Sequence, residues 1–157
     1  ELVENQRGIT YFGLFGPYLA GAKKVVIEDA YVRKPYQLRN LAEFLEMLLR
    51  CKNTDEDVAV HLVTGHNEPE FVDAQLNGLN ELASTFSQLG VNLTYEFRDT
   101  LHDRSITSDT GWEILPGRGL DIFQKFVDGD WLNPLLRHQQ LRRVKECKVT
   151  YRRISEK

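Results

Sequence analysis

At 157 residues the chain is long enough for one domain with a full hydrophobic core. Hydrophobic content of 41% and charged content of 27% exclude a disordered tail or a low-complexity linker. A net charge of −3 excludes polyanion binding by bulk charge alone. The charge is unevenly placed, however. Residues 137–157 hold eight Lys and Arg against Glu146 and Glu156, an excess of six positive charges. Such a segment is either a surface for an anionic partner or an edge strand protected by its charges, and both readings stay open.

In chain order, residues 1–8 read as a polar lead-in. Tyr11, Phe12, Phe15, Tyr18 and Leu19 recur at helical spacing up to Gly21, with Pro17 as a strain point. Lys23–Glu28 is a short β-branched strand, followed by a polar and aromatic loop from Asp29 to Lys34. Pro35 suits the first turn of the clearest helix, whose apolar stripe is Leu38, Leu41, Phe44, Leu45, Leu48 and Leu49. Val58–Thr64 is apolar throughout and predicts a central strand covered on both faces, with His61 in the core. Pro69–Leu89 is a second helix ended by Gly90, and Val91–Phe97 alternates as a half-buried strand. Strands are expected around Arg104–Thr107 and Trp112–Leu115, joined by a turn at Ser108–Gly111. Gly119–Phe126 is expected as a short helix, Asp128–Asp130 as a loop and Trp131–Leu141 as mixed. Cys147, Val149 and Tyr151 alternate into a last strand. Strand–helix alternation followed by tight turns predicts an α/β fold: a mixed sheet flanked by helices on both faces.

Two distant cysteines, Cys51 and Cys147, read as reduced thiols in a cytoplasmic protein. No apolar run reaches the ~18–20 residues of a membrane span. The chain starts at Glu1 rather than Met, which suggests the C-terminal piece of a longer protein, occupied over 1–157 by a single domain. His66 and His138 have no partner at metal-ligand spacing, so neither a metal nor a cofactor is expected. Trp112 and Trp131 are read as core or dimer anchors, and Tyr31 as a packing residue.

Leu101–Phe123 is the stretch richest in groups for a charged ligand. In His102-x-Arg104-x4-Asp109, residues i and i+2 of a strand share a face, so His102 and Arg104 can meet one bound group. Arg104 offers a planar fork of donors for phosphate. The His102 imidazole suits either nucleophilic attack on phosphorus or a hydrogen bond to it. Asp109 suits orientation of the histidine, or simply the turn. Arg118, between Gly117 and Gly119, suits an anion at a nest of backbone N–H groups, or the glycines serve only a tight turn. Loops beyond the C-terminal ends of parallel strands gather ligands, which adds Arg33.

The spacing resembles the His-x-Lys-x4-Asp signature of the phospholipase D superfamily, with Arg104 for Lys and without the Gly-Ser-x-Asn that usually follows. A wider resemblance rests on Ile27–Arg33, Gln37-Leu38-x-Asn40, His61–Thr64, His102–Arg104, Gly111-Trp112-x-Ile114 and Gly117–Phe123. Together these look like the phospholipase D-like domain at the C-terminus of MIT-domain proteins, and the similar bacterial members sit at the C-terminus of Lon-like AAA+ ATPases, including those of BREX phage defence. The resemblance implies a phospholipase D-like fold, an incomplete catalytic set, dimerisation and binding of acidic head groups. For this chain the expectation is a non-catalytic module that binds a phosphate-bearing partner through Arg33, His102, Arg104 and Arg118. Nucleic acid is favoured over lipid, and the rest of a parent ATPase would be a further partner. The alternatives are a phosphodiesterase or nuclease using His102 as nucleophile with Arg104 and Asp109, and a purely structural module.

Overall fold

The computed structural model describes residues 1–125 and 132–154. The elements are α1 (Tyr11–Leu19), β1 (Lys24–Glu28), α2 (Pro35–Cys51), β2 (Val58–Thr64), α3 (Val72–Ser87), β3 (Val91–Phe97), β4 (Ser105–Ser108), β5 (Trp112–Pro116), α4 (Pro134–Arg137) and β6 (Val149–Arg153). A short 3-10 turn at Pro69–Phe71 leads into α3, so the helix expected from Pro69 winds tightly before it becomes regular. Thr10 caps α1 by accepting from the Gly13 N–H, and α1 continues through Pro17.

The six strands form one mixed sheet in the order β3-β2-β1-β4-β5-β6. β1, β2 and β3 are parallel, and β4, β5 and β6 add antiparallel neighbours. Register decides which residues face the core. Ile27 stands beside Leu62 in β2 and Ile106 in β4, while Ile114 stands between Ile106 and Tyr151. All but the half-buried Tyr151 are buried, and all five pack in one core with Phe15, Leu45 and Leu79 from the helices.

The opposite face is open, which corrects the expectation of helices on both sides. Val26, His61, Thr94, Thr107, Glu113 and Arg152 form one row across that face, and none is buried. The apolar run of β2 misled because its outward residues are Ala59, which is exposed, and His61. His61 is therefore no core histidine. It bridges Thr94 Oγ1 at 2.7 Å and Glu96 Oε1 at 2.9 Å with a side chain 35% exposed.

One further expectation changes. The described part of Gly119–Phe126 is a turn and a single bridge from Phe123 to Val144, not a helix. Its backbone pairs sideways, with Lys145 N–H donating to Ile122 O and Gln124 N–H to Arg143 O, and these bonds replace a helical ladder. The lead-in is tied down: Leu2 is buried and exchanges backbone hydrogen bonds with Cys147. Trp112 is half-buried, with Tyr18 edge-on to its ring at 4.9 Å, whereas Trp131 and Asp128–Asp130 lie outside the described residues. Cys51 and Cys147 are unpaired.

Much of the basic C-terminal excess is satisfied internally. Arg142 pairs with Glu43 at 3.5 Å, Lys145 with Asp121 at 2.9 Å, and Arg152 with Glu113. Arg153 lies over the Trp112 ring at 5.3 Å. These contacts fasten the last strand and the segment before it to the sheet and the helix layer.

Candidate anion-binding site

The C-terminal ends of β1, β2 and β3 lie at the same end of the sheet as the start of β4 and the end of β5, because Glu28 pairs with Ser105. The loops leaving those strands carry Asp29–Lys34, Gly65–Glu68 and Arg98–Arg104. In an open sheet this is where ligand groups collect.

Asp29 organises this end, and sequence reasoning gave it no role beyond its place in the loop. It is buried, with 4% exposure, and its carboxylate accepts from Tyr31 N–H at 2.9 Å and Leu120 N–H at 3.4 Å. Burial raises its pKa above the ordinary value of 3.8; the Tyr31 N–H and the Arg104 charge oppose that rise. Gly119 closes the cradle. Its φ is +62°, and a Cβ there would stand 2.0 Å from Asp29 Oδ2. Gly117 lies against the Lys148 carbonyl, which a Cβ would meet at 3.0 Å. The Gly-Arg-Gly sequence is thus required by close packing on both sides of the turn.

Arg104 precedes β4. Its Nε lies 3.8 Å from Asp29 Oδ1, its Nη1 donates to Gly117 O at 3.3 Å, and its guanidinium carbon lies 4.9 Å from the centre of the Tyr31 ring. Arg33 approaches the same ring at 5.0 Å. Its Nε donates to Ala30 O at 2.6 Å, and its Nη2 sits where a Gly65 Cβ would stand 2.6 Å away. The buried Gln37 accepts from the Arg33 and Lys34 N–H groups and fixes the loop to the start of α2. Tyr31, expected to pack, is 47% exposed and is the common ring partner of two guanidinium groups.

His102 is exposed and lines a shallow cleft of about 460 Å³ with Tyr31, Asp103, Arg104 and Gly117. Among the described residues its ring has no hydrogen-bond partner. A different histidine, His66, is the oriented one. Its Nδ1 meets Asp99 at 2.9 Å, its N–H donates to the same carboxylate at 2.8 Å, and its ring stacks on Phe97 at 4.1 Å. These contacts, the backbone N–H first, hold the Asp99 carboxyl below its ordinary value.

The residues expected to act together separate into three places. His102 and Arg104 line one cleft with Tyr31, and Arg33 lies over the Tyr31 ring but lines the neighbouring groove. Arg118 stands on the turn nearby but donates through Nε to Glu146 O at 2.9 Å and does not line the cleft. Asp109 sits at the far end of β4, where its carboxylate accepts from Lys23 and Lys24 N–H at 3.1 and 3.3 Å. The whole of β4 separates it from His102, so it cannot orient that ring. These residues offer donor forks and an aromatic ring for an anion, and among the described residues no carboxylate hydrogen-bonds His102, although Asp103 lines the same cleft. Among the described residues no group of three His, Cys, Asp or Glu is placed to hold a metal ion, and no helix is long and apolar enough to cross a membrane.

Residues 8–153 match the family model described as the phospholipase D-like domain at the C-terminus of MIT. The chain is also 38% identical over 128 residues to the mouse (Mus musculus) protein MIT domain-containing protein 1, a match covering 80% of the chain. It spans about half the length of that relative. With a mixed α/β sheet, loops converging at one end and a family match over nearly its full length, the chain belongs to the family of phospholipase D-like domains found at the C-terminus of MIT proteins.

Proposed function

We propose that this domain is a non-catalytic phospholipase D-like module that binds a phosphate-bearing partner at the Arg33–Tyr31–Arg104 cluster beside His102. The observation that carries the reading is the pair of guanidinium groups at 5.0 and 4.9 Å from one exposed tyrosine ring. Among the described residues Arg33 acts on the Asp99 carboxylate only at a distance and forms no ion pair, and the Asp29 contact to Arg104 is long at 3.8 Å. Both therefore keep donors for an incoming anion. Loss of chemistry follows from Arg104 in place of a lysine and from Asp109 serving the other end of the strand.

Nucleic acid is the favoured phosphate bearer, with an acidic head group as its competitor. The domain acts in assembly, as a homodimer, within a longer cytoplasmic protein of the Lon-like AAA+ type. Support for that parent is the sequence likeness across Ile27–Phe123 to bacterial members found in such proteins.

The test compares oligonucleotide binding by the native chain and by Arg104→Ala over a range of salt. Two or three phosphate contacts give a negative slope of log affinity against log salt of about 0.9 per contact on duplex DNA. A salt-insensitive affinity, or one unchanged in Arg104→Ala, contradicts the reading. Hydrolysis of a generic phosphodiester that disappears in His102→Asn would favour the nuclease alternative.

A further inference from the structure

The cations of the Tyr31 cluster continue beyond it. Arg33 also lines a second groove of about 590 Å³ between the start of α2 and the start of α3, where Lys34, Lys125, Tyr36 and Phe71 stand with it. Lys125 lies over the Tyr36 ring at 4.7 Å. Lys125 in turn lines a third cleft of about 320 Å³ with Arg7, Arg143 and Arg142. Lys125 lines both the second and the third cleft, and the first meets the second where Arg33 of the groove lies over the Tyr31 ring of the cleft.

Among the described residues the charge along this path is unbalanced. One carboxylate lines each of the first two clefts, Asp103 and Glu68, and no described carboxylate lines the third. Arg142 is held by Glu43. Arg7, Lys125 and Arg143 have no ion pair among the described residues. In a protein of net charge −3, three cations with no ion pair among the described residues, gathered in neighbouring clefts, favour an external anion.

We propose that the Arg104–Arg33 cluster is one end of a track running through Lys125 to Arg143 and Arg7, and that its ligand is a single-stranded nucleic acid. The inference rests on the phosphate-binding reading of that cluster and extends it. Recurrent cations suit recurrent phosphates. Among them Phe71 is 52% exposed and offers a face on which an unpaired base stacks. A duplex hides its base faces, leaving that aromatic without a role. A single head group fills one cleft and leaves two empty.

The experiment is fluorescence anisotropy of the 157-residue chain with labelled oligothymidylates of about 4 to about 16 nucleotides, the range of site sizes for such surfaces. It is repeated for Lys125→Gln/Arg143→Gln and for Arg33→Gln/Arg104→Gln, each checked for folding by its melting curve. Affinity should rise with length. The Lys125/Arg143 variant should bind the long oligomer on the order of tenfold more weakly, with a salt slope shallower by about 1.4, at 0.7 per lost contact. It should bind the shortest oligomer as the native chain does. If that variant matches the native chain at every length while the Arg33/Arg104 variant loses binding, the track is refuted and the phosphate site stands. If duplex DNA binds as tightly as the single strand, or if vesicles of phosphatidylcholine and phosphatidylserine bind through Lys125 and Arg143 while oligothymidylate does not, the ligand assignment is overturned. If neither oligonucleotide nor vesicles bind, both readings fall.

Discussion

Replacing Gly119 by alanine tests how the sheet end is built. The backbone there has φ of +62°, and a left-handed conformation costs a residue with a Cβ about 1–2 kcal/mol. The new Cβ would also stand 2.0 Å from Asp29 Oδ2 and 2.8 Å from Asp29 Cγ. Neither contact is tolerable, and the carboxylate is buried, so Asp29 must move away from the Tyr31 and Leu120 N–H groups it accepts from. A buried polar group left without its partner costs about 1–3 kcal/mol. Together these give a loss of about 2–5 kcal/mol for Gly119→Ala, a large share of the stability of a domain this size. Urea denaturation of the two proteins measures it. Gly117→Ala is the comparison, because its Cβ meets one carbonyl at 3.0 Å and its φ is not in the left-handed range; it should cost about 1–2 kcal/mol. Losses below about 1 kcal/mol for Gly119→Ala, or equal losses for the two, would refute the cradle.

Asp109→Ala should cost about 0.5–1 kcal/mol, since it removes an acceptor from exposed N–H groups that water can serve, and it should leave anion binding unchanged. Arg142→Ala should cost about 3 kcal/mol in thermal or chemical melts, because it strands a partly buried Glu43, and Arg142→Met should cost less. Asp29 should release its proton above the ordinary aspartate value, read by carboxyl carbon NMR. Its raised value means its stabilising contribution is present below about 3.8 and is lost as pH rises through the shifted value. The difference in stability between the native chain and Asp29→Asn should therefore change across that window and be flat outside it. Arg118→Ala should weaken anion binding far less than Arg104→Ala, because Arg118 is already turned to Glu146 O.

The elements were legible where one physical signal dominated. The stripe of α2 and the alternation of β3 each lead to one structure. Leu120, Ile122 and Phe123 are buried, as their apolar character suggests, but long-range pairing with Arg143–Lys145 decides their backbone, and no local pattern reports that. The open face was hidden because Ala59 in β2 counts as apolar wherever it points, and Val63, on the same side, is buried. At the site, the strand spacing that paired His102 with Arg104 does not apply, because both precede β4 at Ser105; they line one cleft through the loop that leads into that strand. Asp109 failed because the same turn chemistry that suggested a returning carboxylate places it at the opposite end of the sheet. Asp29 was missed because a lone aspartate after a strand does not reveal that a glycine ninety residues later will close over it.

The most direct test of phosphate recognition is a backbone and side-chain NMR titration of the chain with inorganic phosphate at low salt. Saturable shifts are expected at Tyr31, Arg33, His102 and Arg104, absent in Arg104→Ala, with Asp109 unmoved. Shifts that bypass these residues, or none at phosphate concentrations where a specific anion site fills, would contradict it.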